Sequence, residues 1–429
     1  MQFPSPFRRD SVVVMNILLI NHYAGSVHHG MEYRPYYLAR EWVRLGHRVH
    51  ILAASHSHVR SLAPALNGRN RLDETIDGIA YTWFATPSYK GSGMARVLNM
   101  AAFVFRLFRE SEAIAREVTP DVVIASSTYP LDIFPARRIA RLARARLLFE
   151  VHDLWPLSPM ELGGYSRWHP FIMLLQAAEN HACRSADAIV SMLPKVAEHL
   201  QQHGMAAHKL HIIPNGADPA EWNIDGPAPP PQLTACLARL HASGTFIVGY
   251  AGSHGTANAL GNLIDAARLL RDAPVAFVLV GAGPEKAALA ERALGLGLAN
   301  VHFFDAISKN QVPAFLRDID VAYIGWQRQP LYRFGIAPNK LIDYMMAGRP
   351  ILHAVEAGND LVAEACCGLT IAPESPRDVA SGVHSLMALP PDVRAEMGQR
   401  GHKFALEQLS YAVLGGRFLN IITGEKSHG

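Results

Sequence analysis

Short apolar runs separated by helix-like patterns dominate the first half of the chain. The runs NILLIN at 16–21, HRVHILAA at 47–54, PDVVIAS at 120–126 and ARLLFEV at 145–151 are largely apolar rather than alternating. Such runs are typical of strands that are buried on both faces, as in parallel sheets. Residues 32–45 instead show apolar positions at helical spacing. The first half therefore predicts a parallel sheet with crossover helices.

The same order of elements begins again after the proline-rich stretch GPAPPP at 226–231. A predicted strand at 246–252 leads through a glycine-containing loop into a helix that ends near Leu270. Three further strands are predicted at 275–283, 301–306 and 320–326, with a helix from Pro284. The second half therefore repeats the order of strands, loops and helices predicted for the first.

We expect two Rossmann-like, doubly wound α/β domains with parallel sheets that face a cleft, the first over 15–222 and the second over 223–404. A C-terminal helix over 405–429 is expected to pack back on the first domain. The length of 429 residues is more than one core usually holds. One large sheet is the alternative, but it would leave the proline-rich stretch without a role.

Composition supports a globular protein and excludes several classes. Hydrophobic residues make up 49% and charged residues 18% of the chain, which disfavours disorder. The four cysteines show no metal-ligand spacing and are too few for a disulfide scaffold, so we expect a cytoplasmic protein. No apolar run is long enough to cross a bilayer, and residues 1–14 lack a signal-peptide core and are interpreted as an extension.

The loops after the predicted strands carry the candidate chemistry. None has the full G-x-G-x-x-G spacing, which disfavours a nicotinamide enzyme. Gly252, Ser253, His254 and Gly255 lie between a strand and a helix, where small residues would let a phosphate approach. A plain tight turn fits this loop equally well, and the loop alone does not decide between the two.

The segment RFGIAPNKLIDYMMAGRPIL at 333–352 is the most informative. Pro338 would start a helix that Gly348 ends, with Lys340 and Asp343 near its beginning. A lysine at the positive end of a helix indicates an anion that both would bind. An aspartate there can accept two vicinal hydroxyls, as a ribose needs.

Taken together, five motifs resemble the retaining, nucleotide-sugar-dependent glycosyltransferases of family 4, which have the GT-B fold. The resemblance covers nearly the whole chain from Met15 and is strongest for the bacterial enzymes that add sugars such as N-acetylfucosamine to lipid-linked precursors of surface polysaccharides, including O-antigen and capsule. The motifs are GMEYRPYYLAREWVRLGHRVHIL from Gly30, VHDLWP at 151–156, HIIPNGAD at 211–218, LVGAGPEK at 279–286 and PNKLIDYMMAGRPIL at 338–352.

The resemblance implies a donor site in the second domain. Asp343 takes the place of the second Glu of the family's Glu, seven residues, Glu motif and would bind the ribose. Gly335 stands where the first Glu of that motif would be. The Arg and Lys that many relatives have after the first strand of the second domain are also missing. Lys340, aided by Arg333, would therefore bind the diphosphate. The full donor-binding set is Gly252, Ser253, His254, Gly255, Gly283, Ala306, Arg333, Pro338, Asn339, Lys340, Leu341 and Asp343.

The resemblance also places reacting groups in the first domain. His152 and Asp153 follow the strand at 145–151 and are, with Lys340, the catalytic candidates. A generic His-Asp pair at a strand end is more often a capping Asp beside an incidental His, but the family places a histidine here.

The acceptor side is expected to be formed by Gly25, Gly30, Glu32 and Arg34. Arg34 would pair an acceptor pyrophosphate, or it would form a simple ion pair with Glu32.

The sequence therefore predicts a retaining, metal-independent transfer from a UDP-sugar, of an N-acetylated hexosamine or its 6-deoxy relative, to a lipid-linked acceptor such as a polyprenyl diphosphate sugar. No metal site is predicted, because the histidines, His203 among them, lack carboxylates or cysteines at ligand spacing. Asp318 and Asp320 are interpreted as turn residues. Two other functions are possible for this fold: a UDP-N-acetylglucosamine 2-epimerase and an inactive nucleotide-sugar-binding protein.

Two basic, apolar helices are expected at 94–116 and 136–146. They would either dock on an anionic membrane surface, which places the protein on the inner face of the cytoplasmic membrane, or simply pack on the sheet. No nucleic-acid partner is expected, since aromatic residues do not interleave with the basic ones.

Overall fold

The computed structural model describes residues 13–91, 93–222 and 226–424, and most of the 1–14 extension lies outside these residues. The chain divides into two compact units. Unit 1 runs through Ile213 and resumes at Leu414, and unit 2 covers Pro214–Val413. The proline-rich stretch at 226–231 lies within unit 2.

Unit 1 is built on an eight-stranded sheet in the order β3-β4-β2-β1-β5-β6-β7-β8. All neighbouring strands are parallel except β3 and β4, which pair antiparallel at one edge. The order of the strands reverses between β1 and β5, which is the point where open α/β sheets bind ligands. The strands are β1 (Asn16–Ile20), β2 (Arg48–Ala54), β3 (Arg71–Ile76), β4 (Ile79–Phe84), β5 (Val122–Ala125), β6 (Arg146–Val151), β7 (Ala188–Ser191) and β8 (Leu210–Ile212).

Seven helices of unit 1 lie between these strands in sequence. They are α1 (Arg34–Arg44), α2 (Met94–Arg109), α3 (Ser111–Val118), α4 (Ile133–Ala143), α5 (Leu157–Gly163), α6 (Pro170–Ser185) and α7 (Ala197–Gln202). The basic helix predicted at 94–116 is two helices, α2 and α3, which meet at Glu110. The helix predicted at 32–45 begins later, at Arg34, with Pro35 in its first turn, where a missing N–H costs nothing.

Unit 2 has a six-stranded, fully parallel sheet in the order β11-β10-β9-β12-β13-β14. Its strand order reverses between β9 and β12. The strands are β9 (Phe246–Ala251), β10 (Val275–Val280), β11 (Val301–Phe304), β12 (Val321–Gly325), β13 (Ile351–Ala354) and β14 (Gly368–Ile371).

Helices cover both faces of the unit 2 sheet, which therefore has an apolar core on each side. They are α8 (Pro231–Ala242), α9 (Leu260–Leu269), α10 (Lys286–Gly295), α11 (Val312–Arg317), α12 (Asn339–Met346), α13 (Leu361–Glu364), α14 (Pro376–Ala388) and α15 (Pro391–Gln408). A last helix, α16 (Tyr411–Thr423), carries the chain into unit 1, where Phe418 packs edge-on against Trp42 at 5.2 Å between ring centroids.

The prediction of two doubly wound α/β units with parallel sheets is confirmed. The strands β3, β4, β7, β8, β13 and β14 were missed by the sequence patterns. β3 carries exposed polar residues and β8 has only three residues, so neither forms a continuous apolar run. None of the described helices is both long and apolar enough to span a membrane.

Candidate active site

Two glycine-containing loops of unit 2 lie against each other after β9 and β10. A Cβ atom added to Gly283 would lie 2.5 Å from the carbonyl oxygen of His254, and one added to Gly252 would lie 2.6 Å from Cε of Lys340. Any larger residue would push these groups apart. Gly283 is therefore required by the close approach of two backbones, whereas a Cβ at Gly252 would displace the end of the Lys340 side chain.

His254 is fully buried between these loops. Neither of its ring nitrogens has a hydrogen-bond partner among the described residues. Burial, together with the charges of Lys286 and Lys340, lowers the pKa of His254 to about 4. The imidazole is therefore neutral at physiological pH.

Lys340 lies in the first turn of α12 and is also largely removed from water. Its Nζ donates to the hydroxyl of Tyr250 at 2.8 Å and to Oδ1 of Asn258 at 2.7 Å. Burial lowers the pKa of Lys340 to about 7. No acidic side chain neutralises it in these contacts, so an anion that reached Nζ would restore its charge.

Asp343 lies three residues further along α12, on the same helix face as Lys340. No donor among the described residues hydrogen-bonds to its carboxyl group, which is partly exposed. Burial raises the pKa of Asp343 to about 7, with smaller effects from Lys309 and Glu221. Its carboxyl oxygens can accept hydrogen bonds from a ligand.

The other predicted donor-site residues are less closely grouped. Pro338 caps α12 with Asn339 exposed beside it, whereas Leu341 is buried in the core. Ala306 is exposed after β11, two strands away from β9.

Three more predicted donor residues lie in turns. Ser253 offers its carbonyl oxygen to the Tyr250 hydroxyl and to Asn258, and Gly255 precedes a short helical turn. Arg333 is exposed and donates to the carbonyl of Pro330 in its own turn.

In unit 1, the structure corrects the expectation for Arg34. Its guanidinium lies 2.9 Å from the carboxylate of Glu150, and each side chain is only 1% exposed. Arg34 also donates to the carbonyl of Ile213. A guanidinium buried in this way is not available to an acceptor pyrophosphate, and its carboxylate partner is Glu150 instead of Glu32.

His152 is joined to the same buried carboxylate. Ser126 donates to Oε2 of Glu150 at 2.6 Å, and Nε2 of His152 lies 2.9 Å from Oγ of Ser126 and 3.2 Å from that carboxylate oxygen. Burial alone would raise the pKa of Glu150, but Arg34, His152 and Ser126 hold it well below its usual range. Since the ionised carboxylate only accepts, the ring proton of His152 is assigned to Nε2, which leaves Nδ1 as an acceptor.

Asp153 holds the turn that follows β6. One carboxylate oxygen accepts from the backbone N–H of Leu154 and the hydroxyl of Ser158, and the other accepts from the indole of Trp155. Both oxygens therefore already have donors.

The loop that contains Gly25, Gly30 and Glu32 is compact. The N–H of Gly25 donates to the carbonyl of Glu32 at 2.8 Å, and a Cβ at Gly25 would lie 1.8 Å from the carbonyl oxygen of Gly30. The two glycines therefore shape the loop.

Sequence reasoning missed Glu150, Ser126, Tyr250 and Asn258. The signals were an acidic residue inside an apolar strand for Glu150 and a hydroxyl at the end of a strand for Ser126. Nothing in the sequence indicated Tyr250 or Asn258, because their contacts with Lys340 join segments more than eighty residues apart.

The expectation that His203 lacks a carboxylate at ligand distance is wrong. Glu179, His199 and His203 place one ligand atom each within 4.8 Å of one another, and this is the one such cluster found among the described residues. Asp320 accepts the N–H of Ile247 at 2.8 Å, which agrees with a turn role.

Comparisons with known proteins match both units. Residues 29–216 match the family described as Glycosyl transferase 4-like domain, and residues 245–388 match the one described as Glycosyl transferases group 1. WcaI of Escherichia coli (strain K12), assigned as a colanic acid biosynthesis glycosyl transferase, is 26% identical over 324 residues, which cover 73% of this chain and 78% of WcaI.

Solved structures share the architecture. Anabaena Alr3699/HepE in complex with UDP matches with a TM-score of 0.67 and 16% identity, over 96% of this chain and 100% of that chain. WaaG, a glycosyltransferase involved in lipopolysaccharide biosynthesis, matches with a TM-score of 0.63 and 15% identity, over 95% of this chain and 100% of that one. The chain thus has the GT-B fold, and its two units match a glycosyl transferase 4-like domain and a group 1 glycosyl transferase domain.

Proposed function

We propose that this protein transfers a sugar, an N-acetylated hexosamine or its 6-deoxy relative, from a UDP-linked donor to a lipid-linked precursor of a surface polysaccharide. Support for the nucleotide comes from Alr3699/HepE, which is described in complex with UDP. Support for the acceptor class comes from WcaI and WaaG, whose names refer to colanic acid and lipopolysaccharide biosynthesis.

The observation that carries the proposal is the arrangement around Lys340. A largely buried ammonium group lies beside the Gly252 loop at the start of α12, and Asp343 follows on the same face. Lys340 and the backbone N–H groups at the helix start would bind a diphosphate, while Asp343 would accept the ribose hydroxyls. The presence of a cationic group and a hydrogen-bond acceptor on one face of α12 supports a nucleoside diphosphate site in unit 2.

These groups would also promote the chemical step. Negative charge grows on the diphosphate as the bond to the sugar breaks, so a fixed ammonium group stabilises the transition state more than the ground state. No metal is needed for this role. Arg333, if its side chain turns away from Pro330, would add a second cation.

Retention of configuration is proposed to occur by front-face attack. A double displacement needs a carboxylate that can reach the anomeric carbon. Glu150 is buried against Arg34, and both oxygens of Asp153 already accept hydrogen bonds. Glu150 is therefore not available as a nucleophile, and the carboxylate of Asp153 is engaged in holding its turn. His152 would instead accept a sugar hydroxyl at Nδ1, and Asp153 would position it by holding the turn that follows.

Unit 1 also presents a surface that suits a lipid-linked acceptor. Met94, Leu98, Ala101, Phe105 and Phe108 are exposed on α2 and recur every three or four residues. A second exposed apolar group follows along the chain and comprises Leu162, Tyr165, Trp168, Met173 and Leu174. An amphipathic helix with exposed aromatic residues and basic neighbours is suited to lie in a membrane interface. We therefore propose that unit 1 docks on the anionic cytoplasmic face of the membrane.

Two assays test this function. Titration calorimetry with UDP, GDP and ADP should show binding of UDP above the others, and Lys340→Ala should weaken it. The purified protein should then move label from a UDP-sugar to a lipid-linked acceptor. An epimer formed from the donor alone would assign the protein to the 2-epimerases, and nucleotide binding without any product would mark an inactive binding protein.

A further inference from the structure

The cluster of Glu179, His199 and His203 lies apart from the candidate active site. Glu179 is on α6 and is buried, whereas His199 is on α7 and His203 directly follows it. α7 lies in the connection between the parallel neighbours β7 and β8, whereas His152 directly follows the carboxyl end of β6. The three residues of the cluster are not among those to which the transfer chemistry is assigned.

The two histidines share one helix face because they are four residues apart. Their ring centroids are 4.6 Å apart. Nε2 of His199 lies 3.0 Å from Oε1 of Glu179, and Nε2 of His203 lies 3.8 Å from Oε2. In a tetrahedral zinc site with bonds of about 2.0–2.1 Å, ligand atoms lie about 3.3 Å apart. The three side chains thus already converge at nearly this spacing.

Neighbouring amides fix the orientation of His203. Its Nδ1 lies 2.9 Å from Oδ1 of Asn180, and the amide nitrogen of Gln176 donates to Glu179 at 2.7 Å and to Asn180 at 3.0 Å. When Nδ1 of His203 carries the proton and donates to Asn180, the neutral ring directs the lone pair of Nε2 toward the carboxylate of Glu179. The amide nitrogen of Gln176 also lies 3.0 Å from Nδ1 and would donate to it in the other tautomer. Metal-binding histidines are commonly held by such an outer hydrogen bond.

We propose that Glu179, His199 and His203 bind one divalent transition-metal ion of the zinc type, with water in the fourth position, and that this ion ties α6 to α7. Two imidazoles and one carboxylate suit zinc and its neighbours, whereas magnesium and calcium prefer oxygen ligands alone. The ion would stabilise unit 1 and take no part in sugar transfer.

The test uses the full-length protein after treatment with EDTA and dialysis. Adding one equivalent of Zn²⁺ should raise the melting temperature, and Co²⁺ should give the visible absorption of a site with nitrogen and oxygen ligands. His203→Gln and Glu179→Gln should lose both responses. His208→Gln should keep them, since His208 is an exposed histidine just five residues beyond His203. Asn180→Ala should weaken Zn²⁺ binding by roughly 10- to 100-fold.

Two results would overturn the proposal. The wild-type protein could show neither a Zn²⁺-dependent melting shift nor a Co²⁺ spectrum, or both responses could persist in His203→Gln and Glu179→Gln, which would indicate adventitious binding at other histidines. If these two variants fail to fold, the wild-type spectrum and the Asn180→Ala affinity still decide.

Discussion

Burial sets the charge of the two residues that would hold the nucleotide. The pKa of Lys340 is lowered and that of Asp343 is raised, and both lie at about 7. A buried ionisable group of this kind is a common mark of a functional site, because its charge becomes favourable only when a ligand arrives. The sequence predicted both residues from their place at a helix start. It could not predict their pKa values. These depend on burial in the folded protein, where Tyr250, Gly252 and Asn258 surround the Lys340 side chain.

The affinity for a UDP-sugar should therefore depend on pH with a maximum near pH 7. Binding needs protonated Lys340, so affinity should fall by roughly tenfold per unit as pH rises above 7; it also needs ionised Asp343, so affinity should fall as pH drops below 7. Calorimetry across pH 5.5–8.5 measures this. Asp343→Asn should remove the decline on the acid side alone. An affinity that stays flat in the wild type contradicts these two roles.

His152→Ala should lower turnover by roughly 10²–10³ while leaving UDP affinity nearly unchanged, because one preorganised polar contact to the donor sugar is removed. Steady-state kinetics and UDP titration on one preparation measure both. A well-folded variant with near-normal turnover would exclude the catalytic role.

Glu150→Gln is the control for the His152 variant, because Glu150 belongs to the same hydrogen-bond network but has a structural role. It should lower the free energy of unfolding by about 3–5 kcal/mol, because it leaves the Arg34 guanidinium buried without its counter-charge.

At the scale of elements, continuous apolar runs predicted the central strands well, since such runs are the signature of buried parallel strands. The patterns missed the edge strands β3 and β8. β3 carries exposed polar residues, and β8 has only three residues. The internal strand β4 was also missed, although it is almost entirely buried. The helix predicted at 94–116 divides at Glu110, whose backbone leaves the helical conformation between α2 and α3.

The exposed stripe on α2 yields a prediction about membrane docking. Replacing Leu98 and Phe105 with Ser should reduce binding to anionic vesicles at least tenfold, because each apolar side chain contributes about 1.5–3 kcal/mol when it leaves water. Vesicle sedimentation measures this. Leu294→Ser is the control, since Leu294 is 81% exposed but lies on α10 of unit 2. Equal effects of the two changes, or no sedimentation of the wild type, would remove the docking proposal.

Arg96 is unsuited to test the electrostatic part of docking. Its guanidinium lies over the rings of Tyr23 and Trp155 and contacts the Tyr23 hydroxyl. Arg106 and Arg109, at the end of α2, are the better choice. Their replacement by Glu should cost about 1 kcal/mol of vesicle binding for each neutralised charge.

At the scale of the whole molecule, the two units divide the proposed work. We propose that unit 2 binds the nucleoside diphosphate through Lys340 and Asp343, and that unit 1 supplies His152 and the apolar surface. The sequence predicted this division because strand-end loops and helix starts are visible as local motifs. It could not reveal the Arg34–Glu150 pair, whose members are more than a hundred residues apart.

Metal removal should leave sugar transfer intact but lower the stability of the protein. Transfer should survive EDTA at temperatures well below unfolding, because Lys340 and helix N–H groups meet the phosphate charge. The melting temperature should nevertheless fall if zinc leaves Glu179, His199 and His203. Activity assays and thermal scans on the same EDTA-treated sample measure both. Complete loss of transfer that Mg²⁺ or Mn²⁺ restores would contradict a metal-independent mechanism.

The most direct measurement of the central claim follows a labelled sugar from its UDP donor into the lipid phase. The purified protein is incubated with a panel of UDP-[¹⁴C]sugars and a polyprenyl diphosphate sugar acceptor, and free UDP and extracted lipid label are measured together. We expect UDP and labelled lipid in equal amounts from one donor, with both strongly reduced in Lys340→Ala. Undiminished transfer by Lys340→Ala, or a sugar product formed without any acceptor, would contradict it.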